Sequence, residues 1–170
     1  DYYLIINGTA YNWLCAYDHI PPSTDENGRP YMSSTTRIYH LPDKESRDFC
    51  VAMISNRIAY WFWSVIGDGF HFNSSFLVDF KVGKDTFTES QYSELCRLGR
   101  KYSEQIKQHP MVSHNAEKKI VNYSHWEAMN TVRRIEKIII DSLNISDDFA
   151  SHIDEWYFNQ VHCNRDNEKR

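Results

Sequence analysis

The chain has 170 residues, 41% of them hydrophobic and 25% charged, with only 6 Gly and 5 Pro. This composition excludes collagen-like, low-complexity and wholly disordered chains, and the length suffices to bury a real core. No apolar run approaches the roughly 18 residues of a membrane span, and no signal-peptide pattern opens the chain. Because the chain begins at Asp1 rather than Met, we expect a piece of a longer protein. The net charge of −4 speaks against a nucleic-acid partner until it is divided. Residues 1–80 carry 5 Lys/Arg against 9 Asp/Glu, residues 81–140 carry 11 against 7, and residues 141–170 carry 3 against 7. A basic island of +4 thus lies between two acidic stretches. A polyanion responds to that local field, although a solvated helix face gives the same count.

Tyr2 to Asn7 is an aromatic, β-branched run ending in Asn7-Gly8, which predicts a strand and a turn. Residues 18–35, with Pro21-Pro22, Gly28 and Pro30, read as a loop, and Thr36 to Leu41 as a second strand. After Asp43, apolar residues from Phe49 to Val65 recur at helical spacing up to Gly67, predicting one long helix. Its end is almost continuously aromatic (Tyr60, Trp61, Phe62, Trp63), so it is either buried or offered to a partner. Alternation around Phe76, Val78 and Phe80 predicts a strand over Phe72–Val82. Thr88-x-x-Gln91 is a capping box that opens a helix running to about His109 before Pro110. A second box, Ser124-x-x-Glu127, predicts a helix to about Leu143, and Asp147 to Val161 a last amphipathic helix. Lys118 to Tyr123 then falls in a loop between helices, and residues 164–170 form a disordered polar tail. The expected fold is α+β (mixed), with short strands and a helical C-terminal half. We expect one domain over residues 1–163, strand-rich to 82 apart from the aromatic helix and mainly helical beyond it.

The four cysteines (Cys15, Cys50, Cys96, Cys163) are dispersed and read as free thiols rather than a disulfide or zinc framework. The eight histidines offer no element with three ligands, so no metal is expected. Acidic side chains such as Asp43, Asp48 and Asp68 are too scattered to suggest a stand-alone hydrolase.

The most distinctive text is Ile54-Ser-Asn-Arg-Ile-Ala-Tyr-Trp-Phe-Trp63 followed by Gly67-Asp-Gly-Phe-His71. It resembles the C-terminal target-recognition region of adenine-specific DNA methyltransferases and fused restriction–modification enzymes, of the type with a TaqI-like specificity domain. Downstream, Lys118-Lys-Ile-Val-Asn-Tyr123 and the stretch ending Leu143-Asn144-Ile145 resemble the segment that closes that region. Ile120-Val121 and Leu143-Asn144-Ile145 depart from the family's Gly-containing loop and Leu-Gly-Leu helix end. The family's acidic-or-Asn Pro-Pro-aromatic catalytic motif has no counterpart, since Pro21-Pro22 stands between Ile20 and Ser23. Its Gly-rich loop for S-adenosylmethionine has none either.

The resemblance therefore implies a module that reads double-stranded DNA for a methyltransferase domain lying upstream, with S-adenosylmethionine held by that domain. It also implies a prokaryotic cytoplasmic setting. In that light the Gly67–Gly69 turn serves the backbone, Phe70 is expected in the core, and His71, Asn73 and Ser74 are candidates for base edges. Arg97, Arg100, Lys101 and Lys107 are candidate phosphate contacts. Lys118 and Lys119, beside Asn122 and Tyr123, make the best single patch, and Arg134 is either a DNA ligand or a surface ion-pair partner. Trp61, Phe62 and Trp63 are core residues, or one of them stacks on a displaced base. The alternative is a protein-docking domain that binds through its aromatic helix.

Overall fold

The computed structural model describes residues 1–10, 12–73 and 75–167, with side chains up to 160 apart from position 78. Strands β1 (Tyr2–Ile6), β2 (Ala16–Tyr17) and β3 (Arg37–Leu41) form an antiparallel sheet with β1 in the centre. Ile5 faces Tyr17 on one side and Ile38 on the other. A separate antiparallel hairpin pairs β4 (Pro110–Asn115) with β5 (Lys118–Tyr123). Six α-helices complete the described residues, so the α+β class expected from the sequence is the one observed.

The long aromatic helix is in fact two, α1 (Lys44–Ile54) and α2 (Arg57–Ile66), set at 66°. Asn56 makes the joint. Its Nδ2 donates to the carbonyls of Ala52 and Met53, and its Oδ1 accepts from the Ala59 N–H at 2.9 Å. One buried amide thereby closes the first helix and caps the second. No single helix among the described residues is long and apolar enough to cross a membrane; this bent pair passes that test only when its two halves are joined.

Phe72–Val82 is not a strand. It carries the short helix α3 (Ser75–Asp79), where Phe76 is buried and its ring stacks on that of Phe80, four residues on, at 5.2 Å. That i, i+4 pairing satisfied the same residues that alternation suggested for a strand. Helix α4 (Glu89–Lys107) starts at Thr88 with both bonds of the expected capping box. The second box does not form: after a 3₁₀ turn at Trp126–Ala128, helix α5 (Met129–Leu143) begins without a side-chain cap. Asn144 ends it in the left-handed region (φ 50°), a conformation Asn tolerates. Helix α6 (Asp147–Asn167) continues past the expected end at 161 and takes in residues 164–167, which the sequence assigned to a tail.

Two apolar clusters hold the elements together. One packs Leu4, Ile5 and Ile6 against Val51 and Ile54 of α1, Tyr60 and Trp63 of α2, Tyr102 and Ile106 of α4, and Tyr157 of α6. The other joins Phe49, Ala52 and Met53 to Leu95 and Leu98 of α4, Ile135 and Ile139 of α5, and Ile153. Helices α1 and α4 touch closely at Gly99, where a Cβ would fall 1.9 Å from the Asp48 carbonyl oxygen. Tyr60 and Trp63 are core residues, while Trp61 and Phe62 are half-buried against Phe149 and Phe80.

Candidate nucleic-acid interface

The segment from Asn7 to Trp13 joins two stretches that lie far apart in the sequence. On one side, Ala10 N–H donates to the Phe70 carbonyl (2.9 Å) and Phe72 N–H to that of Gly8 (3.1 Å), with Thr9 bridging His71. On the other side, Asn7 Nδ2 donates to Asn122 Oδ1 of the hairpin at 3.4 Å. Between this segment, the loop at 20–36 and the hairpin lies an open groove of about 720 Å³. Among the described residues no Lys, Arg, Asp or Glu lines it. Its walls carry Asn7, Asn12, Asn115 and Asn122 together with Trp13, Tyr31, Tyr123 and Trp126. Amides and aromatic rings in an uncharged cleft suit a neutral, planar, hydrogen-bonding group.

Lys118, Lys119, Asn122 and Tyr123 therefore sit on a strand rather than in a loop. All six residues of β4 are exposed, and the turn at Ala116 and Glu117 takes positive φ (47° and 67°) at both positions, as a two-residue type I′ turn requires. β5 is steadied on its other side by the paired backbone bonds of Lys119 and Thr24 and by Val121 N–H donating to Ser23 Oγ. Lys119 is exposed, and Lys118 lies over the Tyr31 ring at 4.5 Å. At the base of the hairpin, His19 bridges Asp18 (Nδ1 to Oδ1, 2.8 Å) and the Tyr123 hydroxyl (Nε2, 2.7 Å). The carboxylate only accepts, so Nδ1 carries the proton, and in the neutral ring Nε2 accepts from Tyr123. Lys107 Nζ also donates to Asp18, at 3.0 Å. Burial alone would raise the Asp18 carboxyl, but the His19 and Lys107 hydrogen bonds hold it well below the usual carboxylate range. Burial, with the Asp18 charge nearby, raises the Tyr123 hydroxyl.

The other nominated cations are distributed differently. Arg100 Nε donates at 2.9 Å to Asp48, whose side chain is only 1% exposed and also receives Arg47. Arg97 grips Glu94 through two bonds of 2.7 Å, and Arg134 joins the same carboxylate at 2.8 Å. Arg97 above all, with Arg134, draws the Glu94 carboxyl below its usual range. Arg134 is thus a surface ion-pair partner. Lys101 is exposed, with no ion-pair partner among the described residues. Of the eleven cations in the basic island six (Lys84, Arg97, Arg100, Lys107, Arg134 and Lys137) meet carboxylates, whereas the hairpin's Lys118 and Lys119 have no ion-pair partner among the described residues.

In the Gly67–His71 turn, Gly67 closes α2 through its N–H to the Trp63 carbonyl, and Gly69 takes φ 75°. Phe70 is exposed rather than core, its ring set edge-on to that of the exposed His71 at 4.7 Å. His71 is exposed, and so is Asn73, whose Oδ1 accepts from the Ser75 N–H. Ser74 lies outside the described residues. Sequence reasoning missed Asn7, Asn12 and the partnership of Asp18 with His19. Asn7-Gly8 was legible only as a turn.

Among the described residues no group of three or more His, Cys, Asp or Glu side chains could hold a metal ion. No protein-family model, curated protein or solved structure matches the chain.

Proposed function

We propose that the chain is a DNA-reading module of an adenine-specific methyltransferase from a restriction–modification system. Methyl transfer from S-adenosylmethionine would belong to a separate domain of the same cytoplasmic protein. One observation carries the reading. Two stretches that bear the resemblance, Gly67–His71 and Lys118–Tyr123, are both hydrogen-bonded to the single segment Asn7–Ala10, and residues 120–123 of the second line the groove. A two-stranded ribbon such as β4–β5 is of a size that enters a major groove, and its lysines would meet phosphates. The neutral groove at its base would take base edges or an unstacked base.

The test is binding of a fluorescent duplex pool across a salt series. Affinity should fall with salt, and Lys118→Ala with Lys119→Ala should flatten the log–log slope by about 2. Arg100→Ala should leave that slope unchanged, because its guanidinium is committed to Asp48. Affinity indifferent to salt refutes the proposal.

A second reading, a protein-docking module, is favoured by the apolar residues left exposed at the end of α2 and beyond it: Val65 (61%), Ile66 (45%) and Leu77. A docking module would leave the duplex pool unbound at every salt concentration.

A further inference from the structure

His71 is held at the surface by one carboxylate. Asp68 Oδ1 accepts from the backbone N–H of His71 (2.6 Å) and of Phe70 (2.9 Å), while Oδ2 faces the Nδ1 of His71 at 2.7 Å. The His71 backbone N–H first, then its ring and the Phe70 N–H, pull the Asp68 carboxyl down to about 2. An ionised carboxylate has no proton to give, so Nδ1 must be the donor of that bond. In the neutral ring the lone pair then resides on Nε2. The side chain is 59% exposed, and Nε2 has no hydrogen-bond partner among the described residues. Its backbone bridges Thr9, which lines the groove.

We infer that His71 is a specificity-determining residue that reads DNA as a hydrogen-bond acceptor, selecting the exocyclic amino group of adenine or cytosine in the major groove. The inference rests on the DNA-reading function proposed above. Adenine offers its N6 amino group and cytosine its N4 amino group along that edge, whereas guanine and thymine oppose Nε2 with oxygen or nitrogen acceptors. An acceptor locked in place by a carboxylate therefore separates amino from keto bases, a distinction that a freely rotating, tautomerising histidine would not hold.

The carboxylate makes the choice reversible by a single substitution. In Asp68→Asn, Oδ1 keeps the two backbone bonds while an amide NH₂ replaces Oδ2 opposite Nδ1. An NH₂ group only donates, so Nδ1 becomes the acceptor and the proton moves to Nε2. The reading atom then changes from acceptor to donor with little change in shape.

Two measurements at about pH 8, above the ordinary imidazole range, test this. The first is ¹⁵N NMR of the His71 ring in the chain alone. Nδ1 should carry the proton in the parent sequence and Nε2 in Asp68→Asn; a parent ring protonated on Nε2 overturns the inference. The second is enrichment from a randomised duplex library at low salt. The parent should select a motif with one position restricted to adenine or cytosine. His71→Ala should relax that position about fivefold or more, and Asp68→Asn should shift it toward guanine or thymine. An enriched motif that neither variant alters overturns the role of His71 but leaves the DNA-reading function standing. No enriched motif from any of the three proteins overturns that function and, with it, the inference.

Discussion

Gly99→Ala puts the packing of α1 on α4 to a direct test. The added Cβ would lie 1.9 Å from the Asp48 carbonyl oxygen, 2.9 Å from its carbon and 3.2 Å from the Ala52 nitrogen, against ordinary contacts of 3.4–4 Å. All three atoms are backbone, so no rotamer change relieves the clash and the two helices must separate. Alanine recovers about 1 kcal/mol of helix propensity over glycine. Overpacking a core costs about 1–3 kcal/mol, and more where backbone has to move. Here the displaced turn of α1 also carries the fully buried Val51 and Ala52, and Asp48 with its two arginines. We expect a net loss of about 3 kcal/mol, which at this chain length lowers the melting temperature by roughly 6–12 °C. Urea unfolding followed by circular dichroism should show a lower midpoint at constant slope. Gly83→Ala, where no atom lies within 4 Å of the added carbon, serves as the control and should change stability by less than about 0.5 kcal/mol. A Gly99→Ala protein that melts with or above the parent refutes the close contact.

Two further outcomes follow from buried charge. Glu136 is 3% exposed and accepts from Arg57 through its backbone N–H (2.8 Å) and its guanidinium, which also meets Asp154. Glu136→Ala leaves that guanidinium with only the exposed Asp154 and should cost about 3 kcal/mol in urea unfolding, Glu136→Gln less. Asp18, with its carboxyl depressed in the folded chain, contributes stability that is present above its unfolded value of about 3.9 and lost as pH falls through the folded value. Asp18→Asn should therefore be less stable at neutral pH and show a shallower decline of melting temperature below about pH 4. Parallel pH curves for the two proteins would show that the His19 and Lys107 contacts do not act on Asp18 as described.

What could be read from the sequence depended on near neighbours. The Thr88 capping box is written within four residues and forms, whereas the equally local Ser124 box gave way to a 3₁₀ turn. The joint at Asn56 was hidden because the apolar residues of α1 and α2 continue one helical period across it, although Ser55-Asn56 is itself a capping signal. The hairpin was hidden for the opposite reason. Its turn residues, Ala116 and Glu117, lack the Asn-Gly or Asp-Gly chemistry that usually marks a type I′ turn. At the candidate site, Asn122 and Tyr123 of the nominated residues line the groove, but charge alone could not tell Arg100, drawn to a buried carboxylate from another helix, from the exposed Lys119. That distinction is made by tertiary contacts and is absent from any local pattern.

The groove also has a kinetic meaning. Its frame is closed by contacts that span long stretches of chain, from Ala10 to Phe70 and across 115 residues from Asn7 to Asn122. Loop-closure entropy and contact order make such pairings costly to form before the helices between them are ordered. The surface should thus be completed late, when the first and last parts of the chain finally meet. A partly folded molecule with its helices in place would be blind to whatever the groove recognises, so binding competence and completed folding should arrive together.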